Sequence, residues 1–461
     1  MGDNLHYEKF ADGSVKCIED DIPFDLSEGW AWVRLGNLSA AIQYGLSNSA
    51  EPQGTHRLLR ITDIQDGKVD WNAVPFTTVN DPEAYLLKTG DIVFARTGAT
   101  VGKSFLITET PYPSVYASYL IRIRLLGSLS PEYIYQFFDS ACYWSQITDK
   151  SVGVGQPNCN GTSLKELFIP LPPISEQLRI VPTAQALLAY VAKIDAEKKS
   201  LLSIIMATKS KILDLAIRGQ LIPQDPNDEP ASVLLERIRA EKEELIKQGK
   251  IKRDKKESVI FRGEDNSYYE KMPDGKLHCL DDQLPFELPD GWEWCNLSMI
   301  GTTNIGLTYR PTNIEPDGVI VLRSCNIVND QVDLSDLVRV KTTIRENQYV
   351  QKNDILICAR NGSRALVGKC ALIPDLGEPA SFGAFMAIYR TEYFEYIVHY
   401  LRSSFFRSVF DDSNSTAINQ LTQDMLKRAI VPLPPVFEQR RITETIDAML
   451  FELNQMEKSL I

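Results

Sequence analysis

Histidine is scarce in this chain, four in 461 residues, and there is no Cys-x-x-Cys pair and no long apolar run. Each absence removes a class of chemistry. His6, His56, His278 and His399 are far apart and form no His-x-x-x-His pair, which excludes a helix-borne catalytic zinc site. Cys17, Cys142, Cys159, Cys279, Cys295, Cys325, Cys358 and Cys370 are scattered, so neither a structural zinc site nor a disulfide framework is implied, and reduced thiols in ordinary packing are expected. There is no Gly-x-Ser-x-Gly nucleophile elbow and no Gly-x-Gly-x-x-Gly dinucleotide loop. The Pro-Pro pairs follow leucine, not the Asn or Asp that amino-methyltransferases place before theirs. The first residues are polar and acidic, without the apolar core of a signal peptide, and no run approaches the roughly 18–20 apolar residues that span a bilayer, so a cytoplasmic protein without a membrane segment is expected.

Gly98-Ala99-Thr100-Val101-Gly102-Lys103-Ser104 approaches a phosphate-binding loop, but three residues separate its glycines where that loop has four. Gly362 and Gly368 enclose five, and Cys370 stands where a magnesium-binding hydroxyl would. A loop joining two strands is the better reading, with its cations free for phosphates or base edges.

The length implies two to four domains at roughly 100–200 residues each. The net charge of −12 is not evenly spread: residues 1–28 hold eight acidic residues against two basic ones, and residues 262–290 eight against three. The rest is near neutral, so composition alone makes no case for nucleic acid.

Organisation is more informative. Tyr7-Glu8-Lys9, Cys17, Pro23-Phe24 and Gly29-Trp30 return as Tyr269-Glu270-Lys271, Cys279, Pro285-Phe286 and Gly291-Trp292, a shift of 262 residues. Pro170-Leu171-Pro172-Pro173 with Glu176-Gln177 returns at the same shift as Pro432-Leu433-Pro434-Pro435 with Glu438-Gln439. The chain is a tandem duplication of whole domains. Residues 58–64, 91–96, 103–107 and 119–126 read as strands, as do 319–327, 354–360, 369–373 and 382–390. Aromatic-rich helical stretches follow at 131–150 and 392–412. Each copy is thus α+β with a mixed or antiparallel sheet.

After each Pro-Leu-Pro-Pro the period becomes a heptad. Ile180, Leu187, Val191, Ile194, Leu201, Ile205, Ile212 and Leu215 fall on one seam; Ile442, Ile446, Met449, Leu453, Met456 and Leu460 repeat its register. A helix over 180–215 would be about 54 Å long. Running antiparallel, the two helices would form a coiled coil that holds two similar heads on a pseudo-twofold axis, the geometry for reading two half-sites of a duplex. The expected divisions are an acidic arm (1–28), a first head (29–173), a central helical region (174–261), a second head with its arm (262–435) and a C-terminal spacer helix (436–461).

The duplicated Gly-Trp, the Asp-Ile…Ala-Arg…Gly-Lys loops, the Pro-Leu-Pro-Pro-x-x-Glu-Gln motifs and the central GQLIPQDPNDEPASVLLERI (219–238) together resemble the specificity subunit of type I restriction-modification systems. The resemblance covers nearly the whole chain, and the central stretch is its most specific part. It implies two target-recognition domains that read the halves of a bipartite site in double-stranded DNA. It further implies helices that dock two methyltransferase subunits, restriction subunits that join them, and a bacterial or archaeal cytoplasm. S-adenosylmethionine, ATP and magnesium would belong to the partners, and this chain would be non-catalytic. Copy two, as it stands, stops without a counterpart of 219–261, so inequivalent docking sites are expected unless the N-terminal acidic arm completes the second.

By position in the family pattern, candidate DNA-binding residues are Gly45, Gly306, Arg96, Arg360, Lys103, Lys369, Asn158 and Gln420. By chemistry Tyr44, Tyr309, Arg57, Arg60, Arg310, Arg323 and Arg364 join them, since arginine pairs with guanine and Asn or Gln with adenine. Two readings compete: an enzyme that itself methylates or cuts DNA, predicting cofactor binding by the isolated chain, and a two-headed scaffold for protein or glycan, predicting no sequence-selective retention of DNA.

Overall fold

The structure, a computed structural model, describes residues 5–65, 67–150, 158–253, 258–411 and 420–460. The last residue of the 392–412 stretch and the C-terminal Ile461 lie outside them. Two units emerge, Met1–Asp195 and Ala196–Ile461.

In unit 1 a four-stranded antiparallel sheet runs in the order Ser104–Leu106, Ile92–Ala95, Leu120–Leu125, Ser39–Tyr44. A second sheet pairs Ser114–Tyr116 parallel with His56–Leu59, which is antiparallel to Phe76–Thr77. Strand Ala31–Arg34 pairs with Phe168–Leu171, so the first and last strands of the domain are tied together. Ile92 and Phe94 face one apolar cluster while Val93 and Ala95 face another, which is why this strand is continuously apolar. The acidic arm forms a hairpin, Tyr7–Lys9 with Val15–Cys17, pinned by Glu8 to Arg34 at 2.8 Å.

Unit 2 repeats the plan with additions. Thr302–Ile305, Met386–Arg390, Ile355–Cys358 and Cys370–Leu372 reproduce the four-stranded core, and the hairpin Ile327–Val328 and Gln331–Val332 extends it to six. Val338–Val340, Ile314–Leu322 and Ala380–Phe382 form the companion sheet, again with a parallel pair. Glu293–Asn296 closes on Ile430–Leu433. The expected α+β class with a mixed sheet is what folds.

Three expectations change. The stretches 131–150 and 392–412 are each two helices, Pro131–Phe137 with Ala141–Lys150 and Phe394–Arg402 with Ser404–Asp411. Serine supplies the breaks: Ser140 and Ser403 hydroxyls accept from the amides of Tyr143 and Phe406, starting a new helix. A boundary at 261 would cut strand Val259–Arg262, which pairs with Tyr268–Lys271 and belongs to the second arm. The spacer helix Ile174–Ile217 spans both units, since the division falls at Asp195.

The heptad seam is used over part of its length. In unit 2, Ile205 and Ile212 are buried, and Ile212, Leu213, Ala216 and Ile217 share a cluster with Ile442 and Ile446, flanked by Leu453. Lys209 reaches Glu457, while Gln224, further along, reaches Glu438, so helix Val436–Leu460 runs antiparallel to this end of the spacer. Leu215 and Leu460 are half-buried. Leu187, Val191, Ile194, Leu201, Met449 and Met456 are exposed, and Ile180 packs partly on the core of its own domain. Within unit 2, the C-terminal part of Ile174–Ile217 is what pairs with Val436–Leu460. Pro182 sits inside that helix, where its missing N–H leaves one turn a hydrogen bond short.

Candidate nucleic-acid interface

The duplicated Asp-Ile and Ala-Arg positions take different roles. Asp91 and Asp354 open the central strands and are buried; Arg124 Nε and Nη2 reach Asp91 at 2.7 and 2.6 Å, and Arg390 reaches Asp354 at 2.6 and 2.7 Å. Each carboxylate also accepts the amide three residues before it, from Lys88 or Gln351. This fork-to-fork geometry fixes the sheet and engages both oxygens of Asp91 and of Asp354.

At the other end of the same strands the backbone turns outward. Arg96 donates its amide to Tyr119 O at 3.1 Å, Thr97 bridges Asn158, and Cys159 N returns to Arg96 O at 2.9 Å. The Arg96 guanidinium lies 4.8 Å over the Tyr44 ring, whose hydroxyl accepts the Gly161 amide at 2.8 Å. Unit 2 builds the same corner: Arg360 N to Phe385 O at 3.0 Å, Arg360 bridging Gln420, Leu421 N to Ala359 O at 2.7 Å, and the guanidinium 5.4 Å over the Phe385 ring. Lys103 and Lys369 immediately precede the adjacent strands, and their carbonyls accept from Ala95 and Cys358.

The structure thus gathers Tyr44, Arg96, Lys103 and Asn158 at one corner, and Arg360, Lys369 and Gln420 at the other. Gly45 and Gly306 serve the backbone beneath: a Cβ on Gly45 would sit 2.3 Å from Tyr116 O, and one on Gly306 2.1 Å from Gly383 O. Those positions need glycine for close approach of two strands.

Other candidates are engaged elsewhere. Arg57 donates to Val74 O and lies between Phe76 and Tyr112, at 3.9 and 5.0 Å. Arg60 is forked onto Asp63, which also holds the Arg60 guanidinium above its ordinary pKa. Arg323 pairs with Asp336 at 3.0 Å. Tyr309 packs on Leu307, Val321 and Val340. Arg364 lies in the tight turn Arg364–Leu366, and Arg310 is exposed just before the turn Pro311–Asn313. Arg96, Lys103, Arg310, Arg360 and Lys369 have no carboxylate partner among the described residues.

Two residues escaped sequence reasoning. Tyr119 and Phe385, at 64% and 61% among the more exposed large side chains, occupy the same place beside Arg96 and Arg360. A signal was available: an aromatic, two small residues and a second aromatic recur as Tyr116–Tyr119 and Phe382–Phe385, bounding the turn into the same strand.

A guanidinium laid on a ring is held in plane, ready for bidentate hydrogen bonding, while an exposed ring offers a stacking or wedging surface. Next to them Asn158 and Gln420 present side-chain amides. The corner therefore has groups able to read base edges. The Gly98–Ser104 stretch is a hairpin turn between Ile92–Ala95 and Ser104–Leu106, and no helix follows it to hold phosphate. Cys159 and Cys370 are buried, which pushes each thiol up to about 11, so both stay protonated and poorly nucleophilic at neutral pH. No cluster of three metal-ligating side chains occurs among the described residues, and none of their helices is long and apolar enough to cross a membrane.

Two tandem mixed-sheet domains, each closed by its first and last strands and followed by a long helix, define the class of protein. The profile of the type I restriction modification DNA specificity domain matches residues 33–204 and 289–461, one copy per repeat. The chain belongs to that family. It is 25% identical over 510 aligned residues to the type I restriction enzyme EcoAI specificity subunit of Escherichia coli, covering 95% of this chain and 80% of that one. It is 32% identical over 261 residues to the EcoEI specificity subunit, also of Escherichia coli, covering 55% and 40%. The HsdS subunit from Thermoanaerobacter tengcongensis superposes with a TM-score of 0.53 at 18% identity over 95% of this chain and 92% of that one, a likeness of fold.

Proposed function

We propose that this chain is the specificity subunit of a type I restriction-modification complex. Each unit reads one half of a bipartite site in double-stranded DNA. The observation that carries this reading is the duplicated corner, alike in backbone and different in side chains: Arg96 with Tyr44, Tyr119 and Asn158 in one unit, Arg360 with Phe385 and Gln420 in the other. Reading two different half-sites needs one scaffold and two chemistries. Methyltransferase and restriction subunits, with S-adenosylmethionine, ATP and magnesium, supply the reactions, and the complex works in a bacterial or archaeal cytoplasm.

The test is genome-wide mapping of methylated bases in cells with and without this chain. A split motif should vanish with it, and replacing residues 29–170 by those of another such subunit should change one half of that motif only. Unchanged methylation, or both halves changing together, would overturn the reading. Methyl transfer by the isolated chain would establish the enzyme alternative.

A further inference from the structure

The repeats differ at one place where their residues agree. In unit 2 the segment leaving the spacer helix is seated against the base of the domain. Gly219 turns with φ 65°, where an added Cβ would lie 2.4 Å from Pro289. Arg218 lies 4.8 Å over Phe286, Gln224 donates to Glu438 at 3.4 Å, Asp228 pairs with Arg441, and Ala231 N donates to Gly291 O at 2.8 Å. Leu234 and Leu235 are buried in one cluster with Trp292 and Ile442. Beneath them the Trp292 indole donates to Glu438 at 3.1 Å, and Trp292 is 3% exposed.

Phe286, Gly291, Trp292, Glu438, Arg441 and Ile442 receive this segment, and all six recur unchanged in unit 1 as Phe24, Gly29, Trp30, Glu176, Arg179 and Ile180. The face is also preshaped. Gly29 has φ 84° against 80° for Gly291, and the Phe24–Trp32 rings sit 4.9 Å apart against 5.1 Å for Phe286–Trp294. Among the described residues it is left largely open: Phe24 is 48% exposed, Gly29 and Arg179 are exposed, and Trp30 and Glu176 are only partly covered. The Trp30 indole and the Glu176 and Arg179 side chains have no hydrogen-bond partner among the described residues.

We propose that this face of unit 1 docks a segment of a second polypeptide with the chemistry of residues 213–238: an apolar helix end closing on Arg-Gly, a proline- and aspartate-bearing turn, and an Ala-x-x-Leu-Leu helix start. Charge complementarity chooses the occupant. Its aspartate meets Arg179, its amide meets Glu176, its arginine lies over Phe24, and its leucines cover Trp30. The site does not depend on what the two domains read.

A synthetic peptide of residues 213–238, titrated calorimetrically into the full chain, is expected to bind one per chain. Arg179→Glu in the chain or Asp228→Lys in the peptide should weaken binding about tenfold or more, and combining the two should restore it. Arg179 is exposed, so an unchanged thermal unfolding curve will show that the variant folds. Absence of saturable binding, or binding indifferent to Arg179→Glu, would overturn the proposal. So would binding abolished by Arg441→Glu alone, which would mean displacement at unit 2. Self-association abolished by Arg179→Glu in sedimentation velocity would make a second copy the occupant and overturn the choice of a separate partner.

Discussion

Unit 1 and unit 2 share the central scaffold and differ at its edges and in what it presents. Both have the four-stranded core, the parallel pair, the strand closure and the arginine–aspartate fork. They part at the edges. The hairpin Ile64–Gln65 with Lys68–Val69 stands as a sheet of its own in unit 1, whereas its counterpart in unit 2 joins the main sheet through Gln331 beside Leu372. At the candidate corner Tyr119 of unit 1 corresponds to Phe385 of unit 2. Buried charge and strand register tolerate little drift, because a one-residue slip turns a face inside out. Exposed side chains at a strand end meet no such penalty.

The comparison is most strongly tested at the fork. Asp354→Ala removes a buried carboxylate from beneath Arg390 and should cost about 3–5 kcal/mol in chemical denaturation, with Asp91→Ala doing the same to unit 1. A large loss from one and none from the other would break the equivalence. Gly45→Ala and Gly306→Ala push a Cβ against carbonyl oxygens and should each cost about 1–3 kcal/mol, read as a lowered Tm of the unit concerned.

A pH dependence separates the units more finely. Burial raises the pKa of Glu438, against the lowering effect of hydrogen bonds from Trp292 and Gln224. The folded state therefore holds this proton more tightly than the unfolded chain does. The resulting stability is present below the ordinary 4.5 and is lost as pH rises through the folded value. Glu438→Gln should flatten that part of the unit 2 unfolding profile above about pH 4.5, and an unchanged slope would refute the assignment. The smallest stability effects belong to Tyr119→Ala and Phe385→Ala, expected within about 0.5 kcal/mol because both are exposed. Each should nonetheless weaken retention of DNA through one half-site only, measured by competition with duplexes altered in the other half.

Some of the candidate corner was legible beforehand. Arg96, Lys103 and Asn158, like Arg360, Lys369 and Gln420, were reachable from their position in the family pattern. Arg57, Arg60 and Arg323 were chosen by residue type alone. Type does not reveal that Val74 O, Asp63 and Asp336 already take up their donors. Tyr119 and Phe385 were passed over because an aromatic beside a strand reads as core, and only the turn before each strand leaves the ring outside.

What the amino-acid order determined by itself was the duplication, the class of each domain and the register of the two helices, since periodicity and repeated anchors are properties of the chain. Tertiary structure decided which cations remain unpaired among the described residues, how far the seam is used, and that Trp292 is buried while Trp30 is only partly covered. Those outcomes depend on groups more than a hundred residues apart meeting in space: Trp292 with Glu438, Gly161 with Tyr44. Local sequence carries the propensity of a side chain, and only the fold carries its partner.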